Sequence, residues 1–72
     1  MPTLRTVVND AAMSLTDIAN DAGLSHATVS KLYNGRPVSE LTLRKVLFVL
    51  NQRLGTSYQV SDIQGVNLAG RD

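Results

Sequence analysis

Apolar residues recur at helical spacing along most of the chain, interrupted at intervals by residues that cap or turn. Leu4, Val7, Val8, Ala11 and Ala12 share one face over two turns and predict a first helix over 3–12, after a loose start at Met1–Thr3. Leu15, Ile18, Ala19 and Ala22 repeat the i, i+3, i+4, i+7 pattern and predict a second helix over 15–22. Ser14 is placed to cap it, with Asp17 completing a variant capping box and favouring the positive end of the helix dipole. Gly23 then supplies a residue that can take positive φ and stop the helix. Ser25 caps a third helix over 26–33, with Val29 and Leu32 facing inward, and Asn34-Gly35-Arg36-Pro37 is a turn by its chemistry.

Ser39, preceded by Val38 as a hydrophobic staple, opens a fourth helix over 40–54 that Gly55 ends. Leu43, Val46, Leu47, Leu50 and Leu54 form its core face, whereas Leu41 and Phe48 point the other way. Beyond it, Ser61-x-x-Gln64 has the form of a capping box and predicts a short fifth helix over 62–67, using Ile63 and Val66 and weakened by Gly65. Residues 56–60 are compatible with a loop or a short extended piece. The expected fold is all-α: one domain over 1–72, a compact four- to five-helix bundle.

The spacing of Ala19, Gly23 and Val29 adds a more specific expectation. A small residue in the second helix lets the third cross close to it. Glycine makes the short turn between them, and a β-branched residue further on fixes the crossing. That is the arrangement of a helix-turn-helix formed by the second and third helices, with the third presented outward.

The segment TDIANDAGLSHATVSKLYNGRPVSELTLRKVL resembles the helix-turn-helix of the lambda-repressor-like superfamily. The Ala-x3-Gly-x5-Val spacing, the AT-VS core of the third helix and NGRPVSE all occur in register, and the resemblance spans Ser14 to Gly55. Two branches fit: the Cro and XRE regulators, and the DNA-binding headpiece of the lactose-repressor family. The helix before the motif favours the first, since the headpiece begins almost at the motif itself. Leu15 stands where Cro and XRE sequences often carry glutamine and where the headpiece carries leucine. The tail VNLAGRD resembles the end of the lactose-repressor hinge helix, with Leu68 matching the leucine that wedges into a minor groove.

Charge sharpens this picture through its distribution. The net charge is only +1, but Lys31, Arg36, Arg44, Lys45 and Arg53 lie between Ser25 and Gly55 against a single acid, Glu40. A basic segment that starts in the outward helix suits phosphate contact. The chain has no cysteine and one histidine, so disulfides and a self-contained zinc site of the usual kind are excluded. With no glycine-rich phosphate loop and no carboxylate pair framed by reactive groups, no enzyme chemistry is indicated and no cofactor or metal is expected. No apolar run is long enough to span a bilayer and no signal peptide is legible, so a soluble cytoplasmic protein is the default expectation, nucleoid-associated when bound to DNA.

The docking geometry of the resembled family implies the site. Residues just after the cap of the third helix, and one a turn later, point at base edges: here His26, Ala27 and Lys31. His26 can donate or accept at a purine edge, Ala27 offers a methyl contact, and Lys31 can reach guanine acceptors. Thr16, Ser25, Thr28, Asn34 and Arg36 are placed for the DNA backbone, which sets register without reading sequence. Tyr33 fits either a backbone contact or packing against the fourth helix. Leu41, Phe48 and Leu68 are the residues offered for a dimer or partner contact. The resemblance implies sequence-specific binding of double-stranded DNA by a small regulator, a repressor acting as a homodimer on a two-fold operator. Two alternatives stand beside it: an antitoxin-like module of the same fold with a protein partner, and the headpiece of a longer lactose-repressor-type regulator.

Overall fold

The computed structural model describes residues 3–68. Four helices form: α1 (Leu4–Ala11), α2 (Leu15–Ala22), α3 (His26–Tyr33) and α4 (Glu40–Leu54). Each starts in the same way. Thr3, Ser14, Ser25 and Ser39 are extended residues whose side-chain oxygens accept a hydrogen bond from the backbone N–H three residues on. Such a cap satisfies one of the N–H groups that the first turn leaves without a partner, and each contributes about 1 kcal/mol.

The helix ends follow an equally local logic. Gly23 takes φ +70, its N–H meets the carbonyls of Ala19 and Asn20, and the Leu24 N–H reaches Ala19 O at 2.9 Å. A Cβ at Gly23 would find nothing within 4 Å, so glycine is required there for its backbone angle and not for space. The first helix is shorter at both ends than its apolar pattern suggests. Thr3 is its cap, and Ala12 leaves the helix in the left-handed region at φ 54 and is exposed.

The core gathers one face from each helix. Ile18, Leu32, Leu43, Leu50, Val7, Val29 and Val46 are its fully buried side chains. Ala19 is buried in the same core, while Leu15, Ala22 and Leu54 are only half-buried at the margin. Val38, the staple residue, joins the same core as Leu43. Removing an aliphatic side chain of this size from water stabilises the fold by roughly 1.5–3 kcal/mol, and with no cysteine in the sequence no disulfide supplements it.

The C-terminal segment corrects the sequence expectation. No helix forms over 62–67. Instead a single 3₁₀ turn spans Val60–Asp62, and the chain then runs extended. The reciprocal cap falls in an earlier register than Ser61-x-x-Gln64: the Gln59 N–H donates to Asp62 Oδ2 at 2.9 Å. The turn stops at Ile63, which is already extended at φ −101 and ψ 130, and Gly65 follows at φ +78. Two short strands follow from this course, β1 (Pro37–Val38) and β2 (Asn67–Leu68), paired in parallel with Pro37 opposite Asn67 and Val38 opposite Leu68. A further bridge joins Thr3 to Gln64, and the Leu4 N–H donates to Gln64 O. The fold is therefore helical with a small strand pair. Leu68 lies in that pair, half-buried against the core, and not on a hinge helix; Ala69–Asp72 of the hinge-like motif fall outside the described residues.

Asn51 anchors this segment. Its Oδ1 accepts from Thr56 Oγ1 at 2.9 Å and from the Tyr58 N–H at 3.0 Å, and its Nδ2 donates to Tyr58 O at 2.9 Å. One side chain in the last turn of α4 thus satisfies both backbone groups of a loop residue, and Ile63 is buried beyond it.

Candidate nucleic-acid interface

Burial on α3 decides which way its side chains point. Val29 and Leu32 are 2% and 1% exposed and hold the helix to the core. At 3.6 residues per turn the opposite stripe carries Ala27, Ser30, Lys31 and Asn34, with His26 at its leading edge. His26, Ala27, Lys31 and Asn34 are exposed, and Thr28 and Ser30 are half-buried at the flanks. The three residues expected to read bases therefore share one accessible surface. Ser30, half-buried, borders that surface and is a further residue beyond those the sequence singles out, at i+3 from Ala27.

The backbone-contact residues divide into two groups. Thr16 and Arg36 are exposed, at the start of α2 and in the turn after α3, and among the described residues neither side chain has an intramolecular partner. Ser25, Thr28 and Asn34 are already engaged. Ser25 Oγ accepts from the Thr28 N–H at 3.2 Å and lies 2.8 Å from Thr28 Oγ1. Asn34 Nδ2 donates to Ser30 O at 2.9 Å and to Ser30 Oγ at 3.3 Å. A hydroxyl can still donate outward by rotating, whereas the Asn34 amide nitrogen is already turned back on Ser30 and away from a phosphate.

The basic segment also divides. Arg44 pairs with Glu40 one turn away on α4, and Arg53 Nε donates to Ala11 O at 3.2 Å, neutralising the carbonyl end of α1. Lys31 and Arg36 have no ion pair among the described residues, so they supply the free positive charge of the α3 surface. Arg5 joins them from far along the chain. Its Nε donates to Tyr33 O at 3.2 Å, one Nη donates to Asn34 Oδ1 at 3.3 Å, and its guanidinium sits 4.9 Å from the centre of the Tyr33 ring. Tyr33 is half-buried under this contact. No local pattern announces an arginine in α1 as part of the α3 surface.

On α4, Leu41 and Phe48 are 45% and 65% exposed, the large apolar side chains that the core does not take. Leu15 is half-buried and packs on the core, so the position that could have carried a polar contact serves the interior here. Among the described residues no cluster of His, Cys, Asp or Glu is placed to hold a metal ion, and no helix is long and apolar enough to cross a membrane.

No curated protein and no solved structure matches the chain. Residues 3–56 match the family model of the Cro/C1-type HTH DNA-binding domain. The match runs from the cap of α1 to the residue after Gly55, so it includes the helix that distinguishes the Cro and XRE pattern from the lactose-repressor headpiece. The strapped segment beyond residue 56 lies outside it. Four helices in this order, a glycine turn between the second and third, and a basic outward face on the third agree with that match: the chain belongs to the Cro/C1-type helix-turn-helix DNA-binding family.

Proposed function

We propose that the protein is a transcriptional repressor that binds a two-fold operator as a homodimer. The observation that carries this reading is the division of α3: Val29 and Leu32 are locked in the core while His26, Ala27 and Lys31 stand exposed on one side. With α3 in a major groove, His26 and Lys31 hydrogen-bond purine edges and Ala27 packs on a thymine methyl. Thr16, Ser25, Thr28 and Arg36 hold the flanking phosphates. A bound dimer would block polymerase access at its site, and would act in the cytoplasm on the nucleoid. The exposed Phe48, with Leu41 on the same helix, is the surface we assign to the second copy.

Selection of bound duplexes from a random DNA pool, with affinity of the winners followed against salt, tests this reading. The expected result is a two-fold consensus whose binding weakens steeply as salt rises. Failure to enrich any sequence at low salt would overturn it and favour the protein-interaction alternative, in which Phe48 meets a different chain.

A further inference from the structure

At the C-terminal end of α3 lies a shallow groove of about 300 Å³, lined by Thr3, Leu4, Arg5, Tyr33, Asn34 and the facing glycines. Arg5 carries the one charge among these lining residues. A helix C-terminus is the negative end of the helix dipole and by itself repels a phosphate. Here its outermost carbonyl, Tyr33 O, is covered by the Arg5 guanidinium. Asn34, the neutral donor expected at this place, has its amide N–H groups turned back to Ser30 O and Ser30 Oγ, and its Oδ1 accepts from Arg5.

We propose that the DNA phosphate at the C-terminal end of α3 is held by Arg5, not by Asn34. The assignment rests on the reading that α3 enters a major groove. Arg5 is exposed, and only its Nε and one Nη are engaged among the described residues, which leaves part of its N–H fork for an anion. The Tyr33 ring and the two hydrogen bonds hold the guanidinium in place before DNA arrives, so little side-chain freedom is lost on binding. Asn34 is the positioning residue: it presents an acceptor to Arg5 and fixes the guanidinium against the last turn. The first helix thereby contributes to the interface through a side chain that lies 28 residues from its carbonyl partner in sequence.

The test uses the selected duplex and compares Arg5→Gln, Arg5→Lys and Asn34→Ala with the parent chain, following affinity against salt and thermal unfolding in parallel. Arg5→Gln is expected to flatten the slope of log affinity against log salt by about one unit, equally for all sequences. Arg5→Lys keeps the charge and is expected to keep most of the slope while losing the fork. Asn34→Ala is expected to leave the slope within a few tenths of a unit of the parent. If Arg5→Gln lowers the melting temperature but retains the parent slope, Arg5 is structural only and the proposal is overturned. It is equally overturned if Asn34→Ala loses the unit in an Arg5→Gln background, where no guanidinium remains for Asn34 to position. A parent chain that enriches no duplex removes the groove reading itself, which is a separate and earlier failure.

Discussion

The helix-turn-helix and the C-terminal strap are fastened by different kinds of contact. In the motif, Ser14 and Ser25 bond to N–H groups three residues away, and the Gly23 turn closes on Ala19 and Asn20. Each fastening lies within a few residues of its partner, and the two helices then share Ile18, Ala19, Val29 and Leu32 in one core. The strap has a local device of its own in the Gln59–Asp62 turn. Asn51 also holds the Thr56–Tyr58 loop from five to seven residues away, and the remaining contacts are distant: Gln64 with Thr3 and Leu4, and Asn67–Leu68 with Pro37–Val38. A local fastening leaves a trace in sequence order, and a distant one does not. The family match, which ends at residue 56, divides the chain at the same place.

Four substitutions press on this contrast, in order of decreasing effect. Ile18→Ala empties a site that is 0% exposed beneath both helices of the motif. It should cost roughly 2–5 kcal/mol and remove the cooperative thermal transition or lower its midpoint steeply. Asn51→Ala should act on the strap instead. It removes all three of the side chain's bonds to the Thr56–Tyr58 loop, and we expect a loss of about 1–3 kcal/mol. Amide hydrogen exchange should quicken at Tyr58 and Leu4 well before it does so in α2 and α3. Equal acceleration across the chain would show that strap and motif are one cooperative unit.

Gly23→Ala places a side chain at φ +70 with no steric contact to complicate it. A destabilisation of about 1–2 kcal/mol in a denaturant titration is expected, with an unchanged m-value. Ala12→Gly is the converse case, since Ala12 already holds a left-handed angle in an exposed position. Relief of that strain, reduced by the greater freedom of glycine in the unfolded chain, should leave a gain of about 0.5 kcal/mol.

These contrasts also explain what could be read in advance. The second, third and fourth helices lie at 15–22, 26–33 and 40–54 because a serine cap, an apolar face and a terminal glycine or turn agree for each. The site of His26, Ala27 and Lys31 comes from the docking geometry of the resembled family, and the three stand exposed on α3. Ala12 was misplaced because an apolar residue past the helix end continues the pattern without continuing the backbone. The fifth helix does not form because Gln59 and Asp62 close the turn that Ser61-x-x-Gln64 would have opened, and the chain is already extended at Ile63. Arg5 could not be placed at all: its partners, Tyr33 and Asn34, are brought to it only when α1 packs across the bundle.

On the proposed assignment, α3 reads bases while the turn after it reads only charge. The most direct measurement is the affinity of Lys31→Ala and Arg36→Ala for every single-base variant of the selected duplex, at low and high salt. Lys31→Ala should relax preference at one base pair and cost roughly 1–3 kcal/mol. Arg36→Ala should weaken all duplexes about equally and flatten the salt slope by about one unit. The same sequence-independent loss in both variants would contradict the assignment of Lys31 to base readout, and with it the role given to the exposed face of α3.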